Sequence, residues 1–226
     1  MKSHSVIFID NQWSEDYPGK NKYSNNSFIG CLVNYFTVPP WVLPKRIALA
    51  FMPPILGDKS RRVYVDFVGP CLAILTLAAI LHYGHSYKVQ SAALNTSPTE
   101  ILLYYCAIFP LITFVLAKLG RATLGFLDIA SLLGYGLYGH IFTLAVSQLF
   151  DHERSNGVFF TNLFVFGGLS GLRIALVLLA SIPRPASRLL VCSTATIVHL
   201  VFVIFVHFAY MHSTFVYGSG TGKHHI

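Results

Sequence analysis

The stretch FLDIASLLGYGLYGHIFTLAVSQLF, residues 126–150, decides the fold. Its Gly134, Gly136 and Gly139 are spaced as G-x-G-x-x-G, which binds a dinucleotide when it joins a strand to a helix and an acid follows about 20 residues on. Here the glycines sit in the middle of an unbroken apolar run, no strand pattern precedes them, and the nearest following acids, Asp151 and Glu153, lie beyond its end. A pyrophosphate held at that point would have no charge partner. The run is 25 residues long, which as a helix of 1.5 Å per residue spans roughly 37 Å and crosses a hydrocarbon core of about 30 Å. The glycines therefore read as a seam where a neighbouring helix approaches closely. Tyr135 and Tyr138, three residues apart, share a helix face and are placed to hydrogen-bond across it.

Four further apolar stretches flank this one, at about 63–84, 99–118, 158–181 and 189–211. Each is close to the 20 residues that cross a bilayer as helix, and only helices satisfy their own backbone groups in lipid. The separators, such as DHERSNG and IPRPASR, are short and rich in polar and turn residues. Charged residues make up 11% of the chain, less than half the roughly 25% of a soluble domain. The expected fold is an all-α membrane protein of five transmembrane helices over 63–211. A largely irregular cytosolic segment precedes them at 1–62, and a short luminal tail follows at 212–226.

Charge sidedness sets the expected orientation. Residues 1–62 hold eight Lys or Arg, and Lys118, Arg121, Arg184 and Arg188 raise that side to 12. The other side holds only Lys88, Arg154 and Lys223. Basic loops stay in the cytosol, so the N-terminus is predicted cytosolic and the C-terminus luminal. The net charge of +7 is thus spent on topology. No basic stripe interleaved with aromatics suggests a nucleic-acid partner. The first residues lack the apolar core and cleavage site of a signal peptide, so the chain is expected to enter the bilayer through its first, retained span.

Residues 1–62 are broken by Pro39, Pro40, Pro44, Pro53 and Pro54 and read as irregular and solvent-facing. Residues 47–52, preceded by Lys45 and Arg46, are expected to lie on the membrane surface. Asn95-Thr96-Ser97 is a sequon on the luminal side, which makes Asn95 the candidate glycosylation site.

Signals for chemistry are sparse. Cys71, Cys106 and Cys192 lie in apolar runs and Cys31 in the N-terminal part, with no C-x-x-C, so neither a zinc site nor a disulfide framework is indicated. No G-x-S-x-G elbow is present. No catalytic, cofactor or metal residues are assigned. Asp66 and Asp128 fall near the cytosolic ends of the first and third spans, within reach of water, and Arg173 lies deeper in the fourth. Such charges, together with His140, His199 or His207, are what a small transporter, channel or proton relay would use. A structural Arg173 paired with an acid or with carbonyls is the favoured alternative. His199 and His207, eight residues apart, are read as packing or hydrogen-bonding groups.

Several short elements resemble one family. VDFVGP, residues 65–70, resembles the D-L-Y-G-P signature of the YIPF (Yip-domain) membrane proteins of the ER and Golgi, with Asp66, Gly69 and Pro70 matching and Phe67 and Val68 departing. LLGYGLYGH, residues 132–140, resembles the family's G-Y-S element, with Gly136 where Ser is common. GGLSGLR, RLLVC and HFAY further resemble the third paralogue branch, in the same order along residues 60–212. The resemblance implies a five-span protein without catalysis or cofactor. It implies residence in the ER–Golgi system, a role in vesicle traffic or Golgi organisation, assembly with another Yip-domain protein, and recognition of Rab GTPases. Asp66, Gly69, Pro70, Gly134, Tyr135, Gly136, Gly139 and Arg173 are the candidate helix-packing or partner-binding residues. An adaptor role for the N-terminal segment is the third class considered.

Overall fold

The computed structural model describes residues 8–10, 35–36, 38–51, 62–86, 96–150 and 156–212. Asn95, most of residues 1–34 and the tail from 213 lie outside the described residues. Five helices are long and apolar enough to cross a membrane. They are α2 (Val68–Ser86), α3 (Pro98–Leu119), α4 (Phe126–Phe150), α5 (Gly157–Ser181) and α6 (Pro185–Met211). Before them come β1 (Phe8–Asp10), α1 (Leu43–Phe51) and β2 (Arg62–Tyr64). The two strands pair in parallel, Phe8 opposite Arg62 and Asp10 opposite Tyr64.

The spans begin where the backbone chemistry allows. Asp66 Oδ1 accepts the Gly69 N–H at 3.1 Å, capping the first turn of α2. Pro70, in that turn, gives up no intrahelical bond. α3 and α6 each start with a proline, Pro98 and Pro185, at the position where a missing N–H costs nothing. Residues 63–67, expected to open the first span, instead form β2 and the approach to the cap. α5 and α6 each contain one π-helical segment, Leu163–Gly167 and His207–Met211.

α4 is the hub. In its apolar window 78% is buried, against 28–44% for the other four spans. It packs on α2, α3 and α5, while α6 packs on α3 and α5. Two apolar clusters result. One gathers Leu77, Leu81, Leu137, Phe159 and Tyr210; the other gathers Leu133, Ile174, Leu178 and Val191.

The short α1 closes the remaining side of α4, touching α2, α4 and α5. Its Leu43, Ile47, Ala50 and Phe51 recur at helical spacing; Leu43 and Ala50 are buried, and Ile47 and Phe51 pack on the core. Lys45 and Ala48 face outward and are exposed. The Phe51 ring meets Phe142 at 5.3 Å and Phe166 at 6.4 Å between centroids. Phe142 lies 16 residues past the start of α4, roughly 24 Å along the helix. The sequence predicts residues 47–52 on the membrane surface. In the structure α1 runs alongside the third and fourth spans with its apolar face against them, and Met52 lies outside the described residues.

Candidate functional site: two polar nodes on the third span

Two groups of buried polar side chains meet α4. The first is centred on Asp66, which is fully buried. Its Oδ2 pairs with Arg46 Nη1 at 2.5 Å, linking α1 to the start of α2. The Tyr135 hydroxyl, from α4, lies 3.0 and 2.8 Å from the two carboxylate oxygens and donates its proton to them. Ser131 Oγ, one turn earlier, lies 2.7 and 2.9 Å from the carbonyl oxygens of Tyr64 and Asp66. Tyr138 donates to the Gly69 carbonyl at 3.0 Å. One carboxylate thus holds α1, α2 and α4 together, with each of its oxygens carrying more than one partner. That is the condition under which a buried ion pair is tolerated.

The sequence places Asp66 near the cytosolic end of its span, within reach of water. The structure corrects the reach to water: Arg46 of α1 and Tyr135 pair with the carboxylate, and Asp66 is fully buried. Arg173 is also buried and shares a small cleft with Arg46, Tyr64, Leu132 and Tyr135. Asp128 stands apart, half-buried at the start of α4, where its Oδ2 accepts the Gly125 N–H at 2.7 Å. Of the three charges, Asp66 and Arg173 share the neighbours Arg46 and Tyr135, whereas Asp128 stands apart from both. Asp66 and Asp128 each close a helix start.

The second node is neutral and lies deeper in the bundle. His199, on α6, is fully buried between Tyr105 of α3 and Ser170 of α5. Its Nδ1 lies 2.8 Å from the Tyr105 oxygen and its Nε2 3.1 Å from Ser170 Oγ. The single Ser170 hydroxyl proton goes to the Gly167 carbonyl at 3.0 Å. Both ring nitrogens are thereby engaged, and the node joins three spans. His140 of α4 lies against it, its ring centroid 4.0 Å from that of His199. Both nitrogens of His140 lack a hydrogen-bond partner among the described residues. His207 stacks on Phe159 at 3.7 Å. Among the described residues no cluster of His, Cys, Asp and Glu is arranged to hold a metal.

The glycines are what let these nodes form. A Cβ on Gly69 would clash with the hydroxyl end of the Tyr135 ring, and one on Gly134 would stand 2.6 Å from Pro70 Cβ. On Gly136 it would meet Ile174 at 2.9 Å and His199 at 3.1 Å, and on Gly139 it would meet Ser170 Cβ at 2.7 Å. Gly134 thus faces α2, whereas Gly136 and Gly139 face α5 and α6. Further along α4 two contacts join it to α5: Thr143 donates to the Asn162 carbonyl at 3.4 Å, and Asn162 donates to Ser147 at 3.2 Å.

Of the eight candidate residues, all but Arg173 are tied by a hydrogen bond or a glycine-permitted contact to one α2–α4–α5–α6 interface. Arg173 borders it in the cleft with Tyr135. Sequence reasoning missed Arg46, Tyr105 and Ser131. Arg46 is separated from Asp66 by 20 positions and Tyr105 from His199 by 94, so no local spacing announces either pair.

A family model, the YIPF3 C-terminal domain, matches residues 40–211. The chain belongs to the YIPF family. The match covers about three quarters of the 226 residues and starts just before α1, so the Yip domain includes the short helix as well as the five spans. In this Yip domain the Asp of the D-x-x-G-P signature, Asp66, is an internal fastening point. Its Gly69 and Pro70 receive Tyr135 and Gly134 of the G-Y element, so the two signatures are two sides of one contact. No solved structure matches the chain.

Proposed function

We propose that this chain is a non-enzymatic membrane protein of the Golgi. In this reading it supports Golgi organisation and ER–Golgi vesicle transport, in complex with another Yip-domain protein and in contact with Rab GTPases. The family match over residues 40–211 carries the reading. The split of basic residues supports a cytosolic N-terminus and a luminal C-terminus. A non-catalytic role suits the polar nodes, whose groups are spent on one another and on backbone carbonyls across helices. Partner contact then falls to surfaces outside the nodes.

Two measurements test this. The full chain, tagged and imaged in cells, should coincide with Golgi markers and co-purify a second Yip-domain protein in mild detergent. Residence at the plasma membrane or mitochondria, with no Yip-domain protein recovered, would contradict it. Protease protection in sealed microsomes should remove an N-terminal tag and spare a C-terminal one. The reverse pattern would overturn the orientation.

A further inference from the structure

Between α3 and α6 an apolar slot of about 340 Å³ opens toward the lipid. Tyr105, Phe109 and Phe202 form its floor, and Ile108, Ile112 and Val198 stand on its walls. The Tyr105 and Phe202 rings are stacked at 3.8 Å, so the floor is rigid and the Tyr105 hydroxyl is already committed to His199. Along α3 the lining runs from Ile101 to Leu116, about 15 steps and roughly 22 Å of helix.

One end of this slot carries a distinctive charge. Arg188 lies one turn before Val191, the lining residue nearest the start of α6. Arg184, just ahead of α6, reaches the last residue of α3 and donates to the Leu119 carbonyl at 3.2 Å. Arg188 donates through Nε to the Ile182 carbonyl at 2.9 Å. Both are anchored by backbone acceptors, and among the described residues neither is paired with a carboxylate. The slot is thus a long apolar trough, and two backbone-anchored arginines lie just beyond its last lining positions, Leu116 and Val191.

We infer that this slot binds one anionic glycerophospholipid, its acyl chain along the α3–α6 trough and its phosphate at Arg184 and Arg188. The volume lies in the range of small-ligand pockets. A partner's helix is a poorer fit: helix pairing in membranes uses small residues on both faces, and of the 14 lining residues only Thr113, Thr194 and Ala195 are small, the rest being Ile, Leu, Val, Phe and Tyr. The glycines of α4 face other spans of this same chain. Guanidinium groups favour phosphate because they pair with it in bidentate fashion, and basic pockets between spans hold anionic headgroups. The inference rests on the slot and its two arginines alone, independent of the proposed location and partners.

The full chain in phosphatidylcholine nanodiscs, doped with phosphatidylserine or phosphatidylcholine bearing a diazirine on the acyl chain, provides the test. After photolysis, mass spectrometry locates the labelled residues. The phosphatidylserine probe should label the α3 and α6 walls several-fold more than the phosphatidylcholine probe. The double substitution Arg184→Gln and Arg188→Gln should erase that excess, and Arg184→Lys with Arg188→Lys, which keeps the charge but not the bidentate fork, should retain only part of it. Val198→Trp should remove wall labelling by both probes while other lipid-facing positions stay labelled, which shows the protein still folded. Equal labelling by the two probes, or an excess that survives the Gln substitutions, would overturn the headgroup assignment. Walls that neither probe labels would overturn the site itself and indicate that a protein segment covers it.

Discussion

The second and third spans, α3 and α4, are of similar length, yet one is mostly exposed and the other mostly buried. α3 is the more apolar of the two and only 28% of its window is buried; α4 carries three glycines, two tyrosines and a histidine between 134 and 140, and 78% is buried. In water the more apolar helix would go inside. In a bilayer apolarity earns no such place, because lipid tails solvate Leu and Ile as well as a protein core does. What draws a span inward is close backbone approach and hydrogen bonding, and α4 has the small residues for the first and the polar residues for the second. Leu103, Leu111 and Val115 of α3 are about half exposed, whereas Tyr135 and Ser131 of α4 are hydrogen-bonded and buried.

The sharpest way to break this contrast is to strip one partner from the Asp66 node. Arg46→Met should destabilise the protein by about 3–5 kcal/mol, because it leaves a buried carboxylate with its ion-pair partner gone. The double substitution Arg46→Met and Asp66→Leu should cost less than either single change. Unfolding in mixed detergent and SDS micelles reads both, and additive costs would show that the pair is not coupled.

Next in size is the seam. Gly136→Leu forces side-chain atoms into Ile174 and His199, and overpacking of this kind costs about 1–3 kcal/mol. The same unfolding assay should show it, together with broadened elution on gel filtration. No nucleotide should bind either protein in a filter assay, since the glycine spacing serves helix contact.

His199→Phe comes third. It preserves the ring's bulk but leaves the Tyr105 and Ser170 hydroxyls without their shared partner. Interhelical hydrogen bonds in membranes are worth roughly 1–2 kcal/mol, and the loss should fall in or below that range. Combining His199→Phe with Tyr105→Phe should recover part of it. The smallest effect belongs to the lipid side: Leu103→Ala or Leu111→Ala on α3 should move stability by no more than about 0.5 kcal/mol. A cost as large as that of Gly136→Leu would mean that α3 is covered by protein and that the contrast with α4 is false.

These contrasts also explain what the sequence alone made legible. Five spans can be read directly, since 20 or so apolar residues in a row have one physical meaning. The observed helices start or end within a few residues of the expected runs, and the largest differences, at Val68 and Pro185, are set by a cap and a proline. The glycines 134, 136 and 139 were legible as contact points because their missing side chains serve nothing else in a helix.

α1 was not legible. It has nine residues amid prolines that read as breakers. Yet Pro39 and Pro40 precede it and donate nothing it needs, their carbonyls accepting the N–H groups of Val42 and Leu43 at 3.1 and 3.3 Å. Pro44 occupies its first turn, where the missing N–H is tolerated. Asp66 was read as reaching water because the cover over it comes from α1. The His199 node draws on three spans, and only their assembly shows it.

α1 is seated against the flank of the bundle, its apolar face on the third span and fastened there by Arg46 and Asp66. In a variant lacking the native cysteines, Phe51→Cys and Phe142→Cys should be joined by a short bis-maleimide in intact membranes, because the two rings they replace are in contact. Adding Arg46→Met should lower the yield several-fold. Position 51 should also resist a membrane-impermeant maleimide applied from either side. Ready labelling of that cysteine from water, with no cross-link to position 142, would place α1 away from the third span and contradict the account.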